Sequence, residues 1–158
     1  MEVEIRRALL PADIDALCAF DREVFAEDAF DKDEWESLEA YWLVTDGMRA
    51  GCAAFVPNTD FQEDLNEEDI NPPLPGSLYI VSTGIRPDLR GKGLGEWLKR
   101  WEIKYARDNG FTRIVTNCRT SNIPIIRLNE KVGFHIIRTL QKKYYPDGEP
   151  TTVMELLL

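Results

Sequence analysis

The segment Arg90-Gly91-Lys92-Gly93-Leu94-Gly95 constrains this chain more than any other. It follows the apolar run Leu78-Tyr79-Ile80-Val81 and opens an amphipathic helical pattern. Three glycines on alternate positions let the backbone come close to a ligand, because no Cβ stands in the way. Several backbone N–H groups then aim at one spot, where the start of a helix already favours negative charge. Strand, glycine turn and helix in that order make a phosphate cradle beyond the carboxyl end of the strand. Two common phosphate folds do not fit. A mononucleotide P-loop needs Lys-Ser or Lys-Thr after its glycines, and none follows here. A dinucleotide fold needs G-x-G-x-x-G at the first strand–helix turn. This chain has G-x-G-x-G, past its midpoint.

The 158 residues suit one domain, 1–158, with a core of its own. A net charge of −9 argues against nucleic acid as the main partner. Around the glycines the balance reverses. Arg86, Arg90, Lys92, Lys99, Arg100, Lys104 and Arg107 outnumber Asp88, Glu96 and Glu102, so a basic patch for an anionic ligand is expected there. No apolar run nears the ~20 residues of a membrane helix, and the acidic start is unlike a signal peptide. A cytoplasmic protein without membrane contact is expected. Cys18, Cys52 and Cys118 lie far apart and His135 is the single histidine, so no metal site is expected.

Alternation predicts a strand at 2–6, and helical spacing predicts a helix at 11–25 with Ile14, Leu17, Cys18, Val24 and Phe25 in the core. A short helix capped by Asp31 is expected within 30–35, then strands at 41–45 and 50–56 around Asp46-Gly47. An acidic loop follows at 57–71, carrying Asp60, Glu63, Asp64, Glu67, Glu68 and Asp69. A strand at 77–85 leads through the glycines into a helix at 95–109, whose apolar stripe reads Leu94, Trp97, Leu98, Trp101, Tyr105 and Ala106. Asn109-Gly110 ends it. A strand at 113–118 precedes a helix capped by Ser121-Asn122, with Pro124 in its first turn and Ile125, Leu128 and Val132 facing the core. Two strands, 134–144 and 151–157, close the chain. The fold class is a mixed α/β (α+β) sheet, antiparallel in the first half and alternating strand and helix in the second.

Arg90-Gly91-Lys92-Gly93-Leu94-Gly95 resembles the R/Q-x-x-G-x-G/A signature of the GNAT superfamily of N-acetyltransferases. The likeness continues through Ser121-Asn122 to Leu128-Asn129-Glu130-Lys131-Val132-Gly133-Phe134. Leu78-Tyr79-Ile80 and Tyr144-Tyr145-Pro146 are similar to strings in protein N-terminal acetyltransferases of the bacterial ribosomal-protein type. The resemblance implies a mostly antiparallel sheet, flanked by helices, with two splayed parallel central strands at 77–85 and 113–118. It implies acetyl-CoA as co-substrate. Its diphosphate would sit on Gly91, Lys92, Gly93, Leu94 and Gly95, with Arg90 and Glu96 flanking. Its pantetheine arm would pair with Thr83, Gly84 and Ile85 and bond to Asn122. A homodimer is among the assemblies the family forms.

Amine acetylation requires a neutral amine, and so a base or a water leading to one. Here the chain departs from the family. The bacterial enzymes carry a glutamate base where this chain has Asn117, and a tyrosine acid where it has Asn129. Asn129 remains a candidate for the thioester sulfur or the coenzyme arm. Tyr79 is the first substitute in proton transfer. Tyr144 and Tyr145 match residues that wall the peptide groove, with Tyr144 a candidate to hold the amine. Glu27 and Asp28 lie in the loop that borders the acceptor. Three functions stay open: acetylation of a protein or peptide α-amino group, acetylation of a small cationic amine such as a polyamine or amino sugar, and a CoA-binding module with little catalysis.

Overall fold

The computed structural model describes residues 1–61, 75–141 and 144–158. Glu63, Asp64, Glu67, Glu68 and Asp69 of the acidic run lie outside the described residues. The strands are β1 (Val3–Arg7), β2 (Glu39–Thr45), β3 (Met48–Pro57), β4 (Ser77–Ile85), β5 (Arg113–Arg119), β6 (His135–Leu140) and β7 (Thr151–Leu157). The α-helices among the described residues are α1 (Ile14–Phe25), α2 (Lys32–Glu36), α3 (Leu94–Asp108) and α4 (Ile123–Lys131). The strands form one sheet in the order β1-β2-β3-β4-β5-β7-β6. The β1–β2, β2–β3, β5–β7 and β6–β7 pairs are antiparallel, and β4–β5 is parallel. This is the mixed, mostly antiparallel sheet expected. The parallel register covers Ser77↔Arg113 to Ile80↔Thr116 and stops there, while β4 runs on to Ile85.

The chain divides into two compact units, Met1–Phe55 with Ser82–Leu98 and Val56–Val81 with Lys99–Leu158. In the first, Asp46 (φ 49°) and Gly47 (φ 79°) make the tight β2–β3 turn that an Asp-Gly pair favours. Asp31 caps α2 through a capping box with Glu34. Helix α1 starts at Ile14, three residues later than expected, because the Asp13 carboxylate turns back to accept the Leu9 N–H (2.8 Å). Its buried face takes in Phe20, edge-on to Trp42 at 5.6 Å, and Asp21, while Val24 and Phe25 are only half-buried.

The second unit corrects two helical stripes. On α3, Lys99, Glu102, Ile103 and Ala106 are buried here, as are the expected Leu94 and Leu98 in the first unit, whereas Trp101 and Tyr105 lie at the edge of that face. Trp97, in the first unit, is exposed rather than core. Helix α3 places a lysine and a glutamate inward because each neutralises the other: Lys99 Nζ lies 3.2 Å from Glu102 and 5.8 Å from the Phe134 ring. Lys99 therefore does not belong to a basic surface. On α4 the buried residues are Ile126 and Asn129, with Ile125, Leu128 and Val132 half-buried around them. The face is turned by one position because Asn129 takes an inward place that apolar periodicity assigns to neighbours.

Candidate active site

The glycine turn lies within the first unit. Gly91 (φ 79°) and Gly93 (φ 80°) adopt the left-handed backbone that glycine favours, and a Cβ on either would meet nothing within 4 Å. Both therefore border open space. Trp97 N–H is the first amide to close a helical bond, onto the Gly93 carbonyl (3.0 Å). The Leu94 and Gly95 amides precede it at the helix start, where an anion is favoured. Arg90 Nε donates to the Ile85 carbonyl (3.3 Å), tying the turn to the last residue of β4. Arg86 forks onto Asp88 (3.1 and 2.9 Å), so its charge is already engaged. Lys92 is exposed. Gly84 has a packing reason of its own. A Cβ there would meet Val24 and Phe25 of α1 at 3.0 Å. Thr83 and Ile85 are half-exposed, and the Gly51 position on β3 would clash with the Gly84 carbonyl at 2.9 Å if it bore a Cβ. Helix-start amides, open glycines and a tethered arginine fit the diphosphate of acetyl-CoA.

Glu27 and Asp28 lie on a single 3-10 turn, Ala26–Asp28, after α1. That loop is anchored from below: Asp21 Oδ2 accepts the Phe30 N–H (2.7 Å). Burial pushes the Asp21 carboxyl up to about 6, against the pull of that hydrogen bond.

The second unit holds the other expected residues. Tyr79 is buried, edge-on to Phe61 (5.9 Å) and packed with Val115 and Val153. Phe61 also meets Tyr144 edge-on (4.9 Å), and Tyr144 meets Tyr145 (4.9 Å). Arg119 stacks on Tyr145 at 4.3 Å while bonding to Asp147 (2.7 Å) and Glu149 (3.2 Å). Glu149 in turn accepts the Ser121 hydroxyl (2.7 Å) and amide (2.9 Å), which lower its carboxyl below the usual range. These bonds fix the turn that carries the tyrosine pair. Asn122 caps α4, its Oδ1 accepting the Ile125 N–H (3.4 Å). Asn129 is buried, its Nδ2 donating to Met154 Sδ (3.6 Å) and its Oδ1 without a partner among the described residues. Asn117 Nδ2, Arg138 Nε and Thr151 Oγ1 are also buried, without hydrogen-bond partners among the described residues.

Sequence reasoning missed Phe61, Arg119, Arg138 and Thr151. Phe61 was hidden in a polar, acidic segment. Only strand pairing reveals that Arg138 and Thr151 share a face with Asn117, since the partners lie 13 to 34 positions apart in the chain.

The profile of the acetyltransferase (GNAT) family matches residues 10–134. The chain belongs to the GNAT family. This GNAT chain is 28% identical over 134 residues to a putative [ribosomal protein bS18]-alanine N-acetyltransferase of Bacillus subtilis (strain 168), covering 82% of this chain and 77% of the relative. It is 31% identical over 64 residues to a mycothiol acetyltransferase of Saccharomonospora viridis, covering 40% of this chain but 20% of that protein. The GNAT chain thus matches only about a fifth of the mycothiol enzyme's length. Its fold is similar to the crystal structure of the ribosomal-protein-S18-alanine N-acetyltransferase from Escherichia coli, with a TM-score of 0.77 at 20% identity, covering 99% of this chain and 94% of that one. Acetyl-CoA is the family's co-substrate. No described helix is long and apolar enough to cross a membrane.

Proposed function

We propose that this GNAT chain transfers the acetyl group of acetyl-CoA to the α-amino group of a protein or peptide. The observation that carries the reading is the likeness to the Bacillus subtilis protein, which extends over most of both chains and is not confined to the glycine motif. Bound acetyl-CoA supplies a thioester carbonyl for an amine to attack. The Gly91, Gly93, Leu94 and Gly95 amides hold its diphosphate, with Arg90, Lys92 and Glu96 at the rim. Backbone groups of Thr83, Gly84 and Ile85 satisfy the pantetheine amides, and Asn122 adds a side-chain contact beside its capping bond. Orientation of the two reactants then provides most of the acceleration.

Proton transfer is the step where this chain stands apart. Asn117 and Asn129 neither take nor give a proton near neutral pH, and the Tyr79 hydroxyl is the ionisable candidate on β4. Tyr144 and Tyr145 form an aromatic wall, rigid through Phe61 and Arg119, for the first residues of the acceptor. Glu27 and Asp28 attract its ammonium. Thiol release from acetyl-CoA, measured with N-terminal peptides and with polyamines and amino sugars, tests the reading. Turnover with peptides supports it. Turnover confined to polyamines or amino sugars overturns the peptide acceptor.

A further inference from the structure

Strand pairing brings three unpartnered polar groups onto one face of the sheet. Asn117 on β5 is opposite Val153 on β7, and Val153 is opposite Arg138 on β6. Thr151 lies two residues along β7 from Val153, and so on the same face. Residues directly opposed across paired strands share a face. Val153 itself packs with Phe61, Tyr79 and Val115, and Tyr144 leans on that cluster, so this is the aromatic-walled face. Asn117 Nδ2, Arg138 Nε and Thr151 Oγ1 are shut off from solvent, with no hydrogen-bond partner among the described residues. Thr151 is fully buried.

Buried polar groups are almost always partnered, so three orphans around one valine need a physical account. Their chemistry is one-sided. Two are N–H donors without acceptor capacity, the third is a hydroxyl that can donate, and one belongs to a permanent cation. A patch of donors that includes a guanidinium complements an anionic oxygen pair. A polycation would bring like charge to Arg138.

We propose that the acceptor amine carries a carboxylate a few bonds from its nitrogen, and that Arg138, Asn117 and Thr151 bind this carboxylate. The proposal rests on the acetyltransferase reading above, with this face on the acceptor side. The shared chemistry has two sources: the α-carboxylate of a free amino acid, or an Asp or Glu side chain at the start of a peptide.

The test measures kcat/KM by thiol release for matched pairs. One arm compares free amino acids with their carboxamides. The other compares peptides that begin with Asp or Glu with those that begin with Asn or Gln. In one arm the carboxylate member is expected to be favoured about tenfold or more, as for one charged hydrogen bond. The favoured arm identifies the source. Arg138→Gln is expected to bring that ratio close to one. Arg138→Lys keeps the charge but loses the Nε donor, and should leave a smaller preference. Thr151→Val removes an unpartnered hydroxyl at nearly constant volume and tests the face without relying on the arginine. Unfolding midpoints of the three variants show that each folds. Ratios near one in both arms, with turnover detected, overturn the carboxylate site and leave the acetyltransferase reading standing. So does a preference unchanged in Arg138→Gln. Absence of turnover with every acceptor also overturns the proposal. In that case a midpoint raised by acetyl-CoA preserves the coenzyme reading, and an unchanged midpoint brings down both.

Discussion

Replacing Asp21 by asparagine should remove a pH-dependent loss of stability. Asp21 is 2% exposed on α1 and holds the Phe30 N–H at 2.7 Å, at the base of the loop that carries Glu27 and Asp28. Burial raises its carboxyl from 3.8 to about 6, and the nearby Glu34 charge adds to the rise. The folded state therefore prefers the protonated acid. Its stabilising contribution is complete below the unfolded value and is lost as pH rises through the folded one. At about 1.4 kcal/mol per tenfold, the full loss is about 3 kcal/mol. About half of it, ~1.5 kcal/mol, falls between pH 5 and 7.5, above the sequence pI of 4.7. The asparagine oxygen still accepts the Phe30 N–H and never ionises. Urea unfolding followed by tryptophan fluorescence suits the test, since Trp35 is buried against Phe30 at 5.8 Å. All other acids are common to both proteins. The stability of the native protein minus that of the variant should therefore fall by ~1.5 kcal/mol over this range. Parallel pH profiles would refute the assignment of a buried, protonated Asp21.

Gly93→Asp places bulk and negative charge in the cradle, so acetyl-CoA should no longer raise the unfolding midpoint; a normal shift contradicts the diphosphate site. Tyr79→Phe keeps the packed ring and removes the hydroxyl, and turnover should drop about a hundredfold at unchanged acetyl-CoA affinity. Undiminished turnover takes Tyr79 out of proton transfer. Leu98→Ala empties a fully buried position on α3 and should cost about 2–5 kcal/mol in denaturant unfolding. Burial pushes the Cys118 thiol up to about 11, and Cys18 and Cys52 are buried as well. Alkylation of the native protein at pH 8 should therefore leave all three unlabelled until urea is added.

Local signals made much of the fold legible. The bounds of β4 coincide with those its sequence implies, because an apolar, β-branched run ends at a proline and a glycine turn. The Asp31 cap and the Asp46-Gly47 turn follow from side-chain chemistry within a few residues. Helical rotation was harder to read. Periodicity assigns tryptophan inward and lysine outward, and α3 does the reverse for Trp97 and Lys99 because Glu102 stands one turn away to neutralise the lysine. The coenzyme residues are contiguous and so could be read as a motif. The residues around Val153 come from four strands and the start of an acidic segment. No local pattern encodes their meeting.

The inward pair Lys99 and Glu102 also carries a consequence for descent. Altering either member alone strands its mate as an uncompensated charge in a dry interior, at about 3–5 kcal/mol, a large share of what a domain this size can lose. Neutral drift is thus closed to both codons singly. Among close kin the two columns should switch in step, both ionic or both apolar, and a natural homologue bearing one without the other should have acquired a new partner nearby.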